Sequence, residues 1–386
     1  MSLPGQFVDN DASRPSYMSG AKRIVLKFGS SLLIDPAQGQ ARQDWLTSVA
    51  HDVAAIWANG TQVVIVTSGA VALGRGALGL SSGKLKLEEK QAAAAAGQVA
   101  LMTAWANAFA PHNIAVAQAL LTPDDTERRR RWLNARATLE TLLACGAVPI
   151  VNENDTVATD ELRYGDNDRL AARVAQMVGA DVLVLFSDID GLYDRDPRAD
   201  PAAVHMPYID LITPEIEAMA GGINADAGVG SGGMRTKIDA ARIATAAGCA
   251  VAIKDGFVDY PLGRLLQGDR ATWFAPQADR ETARRLWLGH SLNPAGTITV
   301  DCGATAALRR SASLLSIGVV AIIGSFERGD TVAIIDPDGK IIGHGMSAYS
   351  AADARRIMGR HSDAIEEILG YAGRPALIHR DDLVLA

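Results

Sequence analysis

The sequence has few cysteines and no apolar run long enough to cross a membrane. Its three cysteines, Cys145, Cys249 and Cys302, are scattered and form no CxxC pair. Isolated cysteines of this kind predict free thiols in a reducing compartment rather than a disulfide framework or a metal site. No uninterrupted apolar stretch approaches the roughly 20 residues that a membrane-spanning helix needs. We therefore expect a cytoplasmic protein without membrane attachment.

The composition argues against a disordered chain and against a chain whose whole surface binds nucleic acid. Of its 386 residues, 48% are hydrophobic, which is enough to bury a large core. The formal net charge is −7, and charges of both signs are interspersed. The first 20 residues are polar and lack the apolar stretch of a secretory signal. We expect residues 1–20 to form a flexible tail in front of two domains.

From residue 22 the sequence alternates short β-branched segments with longer helical segments. Such alternation predicts an α/β domain, a three-layer αβα sandwich around a mostly parallel sheet. Ligands of these sheets bind beyond the carboxyl ends of the strands. The predicted strands are residues 24–28, 62–66, 114–116, 148–151, 181–186 and 250–253, and the predicted helices are residues 43–59, 88–109, 127–144, 167–178 and 234–247.

The pattern changes after about residue 268. Short strands separated by turns rich in glycine and aspartate follow, and they predict a small β-barrel-like second domain. We place the first domain at residues 21–270 and the second at residues 280–386. The strands predicted in the second domain are residues 298–300, 319–323, 331–335 and 341–345.

Two lysines stand in loops of a kind that can hold a phosphate. Lys27 lies near the end of the first predicted strand, where a buried lysine is costly without an anionic partner. Gly29 and Ser30 follow it and expose backbone N–H groups. Lys237 lies in the first turn of a helix that begins after a Gly-Gly pair, where the helix dipole disfavours a cation unless an anion compensates. A surface lysine and a plain glycine turn are the alternative explanations, and the Walker A pattern is absent.

Two clusters of amide and carboxylate side chains flank the same predicted edge of the sheet. The segment 152–156 (NENDT) follows one strand, and the segment 165–168 (GDND) precedes a helix. Either Asp166 or Asn167 can be a helix cap, but two such clusters exceed what capping requires. Carboxylates this close suit Mg²⁺, the orientation of lysines, or the ammonium group of a substrate. Asparagine can bind a carboxylate without adding negative charge.

Motifs along the chain together resemble the amino-acid kinase family with an appended PUA domain. The resemblance covers nearly the whole chain from about residue 22. It departs from the family pattern at Ser187, where Thr is common, and at Phe28, where Leu is common, and both changes are conservative. The motifs are VLKFGSSLL, VIVTSGAVALGR, KQAAAAAGQ, PIVNENDTVAT, GDND, DIDGLY and GSGGMRTK, followed in the second domain by GTITVDCGATAAL and ILGYAGRPALIHRDDLV.

The resemblance implies ATP-dependent phosphorylation of the γ-carboxylate of L-glutamate to L-glutamyl 5-phosphate, with Mg²⁺, as the first step of proline biosynthesis. It implies that Asp168 organises Lys27 and Lys237, and it identifies no Mg²⁺ ligand. The implied glutamate site is Ser68, Asp155 and Asn167, with Asn152 and Asp166 nearby and the Gly69 N–H at the transferring group. The implied ATP site is Lys27, Ser187, Asp188, Ser231, Gly232, Gly233, Met234, Arg235, Thr236 and Lys237.

Partners and alternatives follow from the same resemblance. It implies a homo-oligomer built through the kinase domain and feedback inhibition by proline. Other kinases of the fold act on N-acetylglutamate, aspartate or UMP, and segments 152–156 and 165–168 favour free glutamate. PUA domains elsewhere bind RNA, and the run of arginines at residues 128–131 is an argument for that role. A solvated or subunit-contact helix face explains the run better, so RNA binding is not expected.

Overall fold

The structure is a computed structural model that describes residues 17–35, 38–80, 83, 85–157, 167–220, 233–278 and 294–385. Contacts between residues divide the chain into two compact units. The first unit comprises residues 1–120 and 141–277, and the second comprises residues 121–140 and 278–386. The sequence-based limits of 21–270 and 280–386 for the two domains stay predictions.

The elements are numbered along the chain. The helices are α1 Ser30–Leu33, α2 Gln43–Ala58, α3 Ala70–Ala77, α4 Leu87–Phe109, α5 Pro123–Glu127, α6 Arg129–Ala144, α7 Asn167–Val178, α8 Pro214–Ala220, α9 Met234–Ala246, α10 Pro261–Leu266, α11 Cys302–Leu308, α12 Ala351–Ile357 and α13 Ile365–Leu369. The strands are β1 Arg23–Phe28, β2 Ile34–Asp35, β3 Gln40–Ala41, β4 Gln62–Val66, β5 Ala115–Leu121, β6 Ala147–Glu153, β7 Val182–Ser187, β8 Leu192–Tyr193, β9 His205–Met206, β10 Tyr208–Ile209, β11 Ala250–Asp255, β12 Thr272–Phe274, β13 Gly296–Val300, β14 Leu314–Leu315, β15 Val319–Gly324, β16 Thr331–Ile335, β17 Ile341–Met346, β18 Ala376–Ile378 and β19 Leu383–Leu385.

The first unit is built on an eight-stranded sheet in the order β10-β12-β11-β7-β1-β4-β6-β5. β1 is parallel to both of its neighbours, β4 and β7, and β11 is parallel to β7. Among the described strand pairs of this sheet, only β11 and β12 are antiparallel, and β10 runs parallel to β12 at the edge. β1, β7 and β11 are apolar along almost their whole length because both faces of these strands are covered. The predicted mostly parallel sheet is confirmed.

Helices cover both faces of this sheet and complete the predicted three layers. On one face, Phe28 of β1 stacks on Phe186 of β7 with ring centroids 4.9 Å apart, and Trp45 of α2 and Trp105 of α4 pack against Phe28. On the other face, α7 and α9 pack on each other and on the sheet. Side chains alternate along a strand, so Lys27 points away from the Phe28 face. It therefore faces the layer formed by α7 and α9.

The predicted helix over residues 127–144 is wrong at its beginning. A separate short helix, α5, starts with Pro123 and is capped by Thr122, whose backbone N–H donates to Asp125 Oδ2 at 2.7 Å. Arg128 then adopts an extended conformation with φ −80° and ψ 117°. The helix α6 therefore begins only at Arg129.

Helices α3 and α4 meet through two glycines. A Cβ on Gly74 would overlap the carbonyl group of Ala93, and a Cβ on Gly97 would overlap the carbonyl group of Ala70. The obstructing atoms belong to backbone, so no side chain can move to make room. Because α3 begins directly after Gly69, this contact fixes the position of a loop at the sheet edge.

We expect Gly97→Ala to lower the thermal stability of the protein sharply. The two helices would have to separate, which corresponds to at least about 3 kcal/mol of overpacking. Gly76→Ala is the matched control, since the nearest atom to its Cβ would be 4.0 Å away and alanine favours a helix. Unfolding midpoints from circular dichroism should fall for Gly97→Ala and stay level or rise for Gly76→Ala. Equal midpoints for the two variants would contradict the close contact.

The second unit has its own sheet, in the order β15-β13-β16-β17-β19. β13 lies parallel to β16 and antiparallel to β15, and β14 pairs separately with β18. The core of this unit includes Ile298, Val332 and Tyr349. Arg136 of α6 also belongs to the second unit, and its guanidinium group lies 2.6 Å from Asp382 Oδ1 of the same unit. A separate β domain at the C-terminal end is confirmed.

The structure bears on the end of the predicted tail and on the predicted absence of membrane spans. Residues 1–16 of the tail lie outside the described residues. Tyr17 packs on Trp273 with ring centroids 5.6 Å apart, and its hydroxyl lies 3.2 Å from that of Tyr208. Within the described part of the chain, no helix is both long enough and apolar enough to span a bilayer.

Candidate active site

Lys27 and Lys237 meet at one buried carboxylate. Lys27 Nζ lies 2.6 Å from Asp168 Oδ1, and Lys237 Nζ lies 3.1 Å from Asp168 Oδ2. The three residues come from β1, α9 and the first turn of α7, and each is less than a tenth exposed. The short distance between Lys27 Nζ and Asp168 Oδ1 joins two opposite charges in a buried ion pair. Two cations and one anion leave the cluster with a net positive charge.

The carboxyl group of Asp168 stays ionised in this setting. Burial by itself raises the pKa of a carboxyl group, but the charges of Lys27 and Lys237 outweigh burial. The pKa of Asp168 is therefore held well below its ordinary value. Asp168 thus supplies the anionic partner that a strand-end lysine and a first-turn lysine both require.

The start of α9 brings a further donor to the same carboxylate. Thr236 Oγ1 lies 3.0 Å from Asp168 Oδ2 and 2.9 Å from the carbonyl oxygen of Gly233. Met234 is buried, whereas Arg235 is exposed and lies near the acidic Glu217 and Asp239. The structure therefore joins Thr236 and Lys237 to the cluster and turns Arg235 away from it. Ser231 and Gly232, which belong to the predicted ATP loop, lie outside the described residues.

A second polar group joins the loop after β4, the end of β6 and the start of α7. Asn167 Nδ2 donates to Ser68 Oγ at 2.8 Å and lies 3.4 Å from Asn152 Oδ1. Asn167 Oδ1 is buried and finds no hydrogen-bond partner among the described residues. A buried acceptor without a donor is costly, and a ligand that carries N–H groups would satisfy it. Asn167 and Asp168 are adjacent in α7, so this polar group borders the lysine cluster.

Gly69 occupies the turn between β4 and α3. Its φ is 97°, a left-handed conformation that favours glycine, and a Cβ there would lie 2.7 Å from Ile34 Cδ1. The left-handed turn therefore requires glycine, whereas the methyl end of the Ile34 side chain could shift to admit a Cβ. The turn sets the first N–H groups of α3 beside Ser68, which is an arrangement suited to an anion.

Asp155 differs electrostatically from Asp168. Among the described residues no cation shifts its pKa, and burial raises that pKa to about 6. A carboxylate in this state gains from a cationic ligand, because the ligand would supply the missing positive charge. Asp166, which the sequence places in the same substrate group, lies outside the described residues.

Ser187 and Asp188 stand at the end of β7, next to β1. Ser187 Oγ donates to Asp188 Oδ1 at 3.1 Å, and Arg198 Nη2 lies 2.7 Å from Asp188 Oδ2. Burial raises the pKa of Asp188, but the hydrogen bonds from Arg198 and Ser187 more than offset it and lower the pKa. Arg198 was not predicted from the sequence. It lies in the irregular segment between β8 and β9, where no local pattern marks it.

The sequence comparisons agree with this geometry. Residues 22–255 match the amino acid kinase family, and residues 296–369 match the PUA domain. The chain belongs to the amino acid kinase family.

Relatives within that family cover nearly the whole chain and carry one name. A protein named glutamate 5-kinase from Paramagnetospirillum magneticum is 58% identical over 96% of this chain and 99% of its own length. Proteins of the same name from Dinoroseobacter shibae and Caulobacter vibrioides are 55% and 57% identical over 95% of this chain, and over 99% and 97% of their own lengths.

Proposed function

We propose that this chain transfers the γ-phosphoryl group of ATP to the γ-carboxylate of L-glutamate. The product is L-glutamyl 5-phosphate, the first intermediate on the way to proline. The observation that carries the proposal is Asp168, which is buried between Lys27 and Lys237 beside the polar group of Ser68, Asn152 and Asn167. The near full-length similarity to proteins named glutamate 5-kinase supports the choice of substrate.

The acceptor needs no general base. A glutamate side chain has a pKa of about 4.3, so it is already an anion at neutral pH. One of its oxygens forms a bond to the γ-phosphorus while the bond from that phosphorus to the bridging oxygen breaks, and ADP leaves. The difficulty is repulsion between two anions, so the site must supply positive charge and orientation.

The lysine cluster supplies that charge. Lys27 and Lys237 stabilise the γ-phosphoryl group during transfer, and Asp168 keeps both ammonium groups in place. Thr236 donates to the same carboxylate and steadies it. The N–H of Gly69 adds a donor at the transferring group. Because these groups are fixed before the substrate binds, little reorganisation is needed at the moment of reaction.

Glutamate binds at the loops after β4 and β6. Asp155 holds the ammonium group, which would supply the positive charge that no described cation provides to this partly buried carboxylate. Ser68, Asn152 and Asn167 hold the polar ends of the substrate, and Asn167 Oδ1 accepts one of its N–H groups. Asp166 contributes in the same region.

The nucleotide lies along the ends of β1 and β7 and the start of α9. Ser187 and Asp188 contact it, and the segment 231–237 holds its phosphates. Mg²⁺ in such sites is bound largely through substrate phosphates and water, with one or two carboxylates. Among the described residues, no group of three or more His, Cys, Asp or Glu side chains could hold a metal, and Asp168 faces lysines. These residues fit a Mg²⁺ ion that would arrive with ATP, and the ion would reduce the negative charge of the phosphates.

An acceptor comparison tests the proposal. ADP release should be measured with glutamate, N-acetylglutamate, aspartate and UMP at equal concentrations. We expect kcat/KM for glutamate to exceed that for each other acceptor by at least about 10²-fold, because a site built around polar groups rejects a ligand that leaves them unpaired. A higher kcat/KM with any other acceptor would overturn the proposed substrate.

The pKa of Asp155 gives a pH prediction. Only the ionised carboxylate attracts the ammonium group, and its pKa of about 6 means that protonation begins well above the ordinary range of aspartate. We expect KM for glutamate to rise as pH falls below about 6, approaching tenfold per pH unit, with a smaller change in kcat. Steady-state kinetics between pH 5 and 8 measure this rise. Asp155→Asn should have a high KM that varies little with pH, and a flat KM in the unaltered enzyme would refute the assignment.

We further propose that the chain works in the cytoplasm as a homo-oligomer assembled through the first unit. Proline, as the end product, would inhibit it at or near the glutamate site. Competition between proline and glutamate in the ADP-release assay tests the location of that inhibition.

A further inference from the structure

The four consecutive arginines at the junction of α5 and α6 are paired unequally. Arg128 and Arg131 pair with acidic residues of α5, at N–O distances of 3.1 and 2.6 Å. Arg129 Nε lies 3.3 Å from Met346 Sδ in the sheet of the second unit. Arg130 is exposed and makes no hydrogen bond or ion pair to any residue in the described part of the chain.

Arg328 stands beside this unpaired arginine. The next residue, Gly329, has a φ of 96°, and a Cβ there would lie 3.4 Å from Arg130 Cα. The N–H of Gly329 donates to the carbonyl oxygen of Ser347 at 2.8 Å, and the hydroxyl of Ser347 donates to the carbonyl oxygen of Tyr349 at 2.7 Å. The loop that carries Arg328 is therefore held between the start of α6 and the segment that carries Tyr349.

A third arginine completes the group. The hydroxyl of Tyr349 donates to the carbonyl oxygen of Arg374, which fixes Arg374 near the same loop. Burial lowers the pKa of Arg328, and the positive charges of Arg374 and Arg130 lower it further, whereas Tyr371 and Tyr349 act in the opposite direction. No carboxylate acts on Arg328 in this way among the described residues. Arg328 and Arg374 also make no ion pair there.

The surroundings add to the unbalanced positive charge. The first turn of α6 holds arginines and no acidic residue, although the positive end of the helix dipole lies there. Two nearby carboxylates are engaged elsewhere. Asp353 accepts from Tyr371 Oη at 3.0 Å, and Asp330 accepts from the N–H of Glu327 at 2.8 Å. Three guanidinium groups that repel one another raise the free energy of the folded state unless an anion binds between them.

We propose that Arg130, Arg328 and Arg374 form an anion site on the second unit that binds a small ligand through a phosphate or pyrophosphate group. Planar guanidinium groups match phosphate oxygens with paired donors. A nucleic acid would need a row of free cations along its backbone. The neighbouring Arg128 and Arg131 are already neutralised by α5, so the free charge is confined to one place.

Calorimetric titration of pyrophosphate into the full chain tests the site. The comparison is between the unaltered protein, Arg328→Gln and Arg310→Gln. Arg310 is an exposed arginine of the same unit, and its side chain donates to the Ala306 carbonyl oxygen. The kinase site is the same in all three proteins, so a difference in pyrophosphate binding between them is due to the arginine cluster. Pyrophosphate should bind both at the kinase site and at the arginine cluster. We expect Arg328→Gln to raise the dissociation constant at the arginine cluster by at least about tenfold, and Arg310→Gln to leave that constant unchanged.

Thermal unfolding separates a binding role from a structural one. In low-salt buffer without phosphate, Arg328→Gln should unfold at a higher temperature than the unaltered protein, because repulsion is relieved. Pyrophosphate should then raise the midpoint of the unaltered protein more than that of the variant. The proposal would be overturned if Arg328→Gln unfolded at a lower temperature than the unaltered protein and bound pyrophosphate with an unchanged calorimetric isotherm. Binding of a short single-stranded RNA that Arg328→Gln abolishes, with pyrophosphate binding unaffected, would identify a nucleic-acid face instead and equally overturn it.

Discussion

Lys237→Ala is expected to lower kcat by at least about 10²–10³-fold, the usual loss when one donor to a developing anionic charge is removed. Lys237 Nζ contacts Asp168 from the buried first turn of α9, where the phosphoryl group in transit would lie. The fold should survive, because Lys27 still neutralises Asp168. KM for glutamate should change little, since the lysine acts on the phosphoryl group. Initial rates of ADP release with saturating ATP and glutamate measure the effect.

Lys254→Ala provides the matched control. Lys254 is also a buried lysine at a strand end, and its Nζ lies 3.2 Å from Asp269 Oδ2. Removing it should cost stability without a comparable loss of kcat. Near-normal kcat in Lys237→Ala would remove this lysine from the mechanism. Equal losses of kcat in both variants would mean that general destabilisation, and not phosphoryl stabilisation, explains the result.

Asp168→Asn should damage stability and activity together. It would leave two buried ammonium groups without their anion, and breaking a buried ion pair from one side costs about 3–5 kcal/mol. The lowered pKa of Asp168 keeps it ionised down to acidic pH, so the loss of stability should persist across neutral pH. Released lysines would also lose their alignment, and a small misplacement of catalytic groups costs about 10²-fold in rate.

Asp52→Asn is the control for this substitution. Asp52 is buried to a similar degree, but it accepts backbone N–H groups of Leu262 and Gly263 and pairs with no lysine in the described part of the chain. We expect it to lose stability and to keep kcat once folded. Chemical denaturation and single-turnover rates below the unfolding midpoint distinguish the two variants. An Asp168→Asn enzyme that kept its stability would show that the two lysines are neutralised in another way.

Local patterns predicted most elements of the first unit to within a few residues. The predicted strand at residues 62–66 and helix at residues 167–178 coincide with β4 and α7. These segments are strongly apolar or strongly amphipathic, so the spacing of their apolar residues matches the residues that the fold buries. Helix α3 was not predicted, because its Gly74 and Gly76 resemble a turn. Gly74 is required by the close contact with α4, and this contact cannot be recognised from the residues next to Gly74 in the sequence.

The candidate site could be predicted only in part. Glycine turns and strand-end lysines mark the phosphate loops, because those features are local. The role of Asp168 came from a family resemblance, since no spacing rule connects it with Lys27. Arg198 gave no signal at all, because its partner Asp188 is brought close by the irregular segment between β8 and β9. Helix α5 was missed, although Pro123 is a local start signal.

The alternation of strands and helices, the glycine loops and the two lysines can be recognised in the sequence, because each depends on residues near one another in the chain. Which of these features come into contact depends on the folded arrangement of the chain. The order β7-β1-β4 and the packing of α7 beside α9 bring Asp168 to Lys27 and Lys237. The grouping of residues 121–140 with the second unit likewise sets Arg130 beside Arg328. Such meetings depend on long-range burial and charge, which no local pattern encodes.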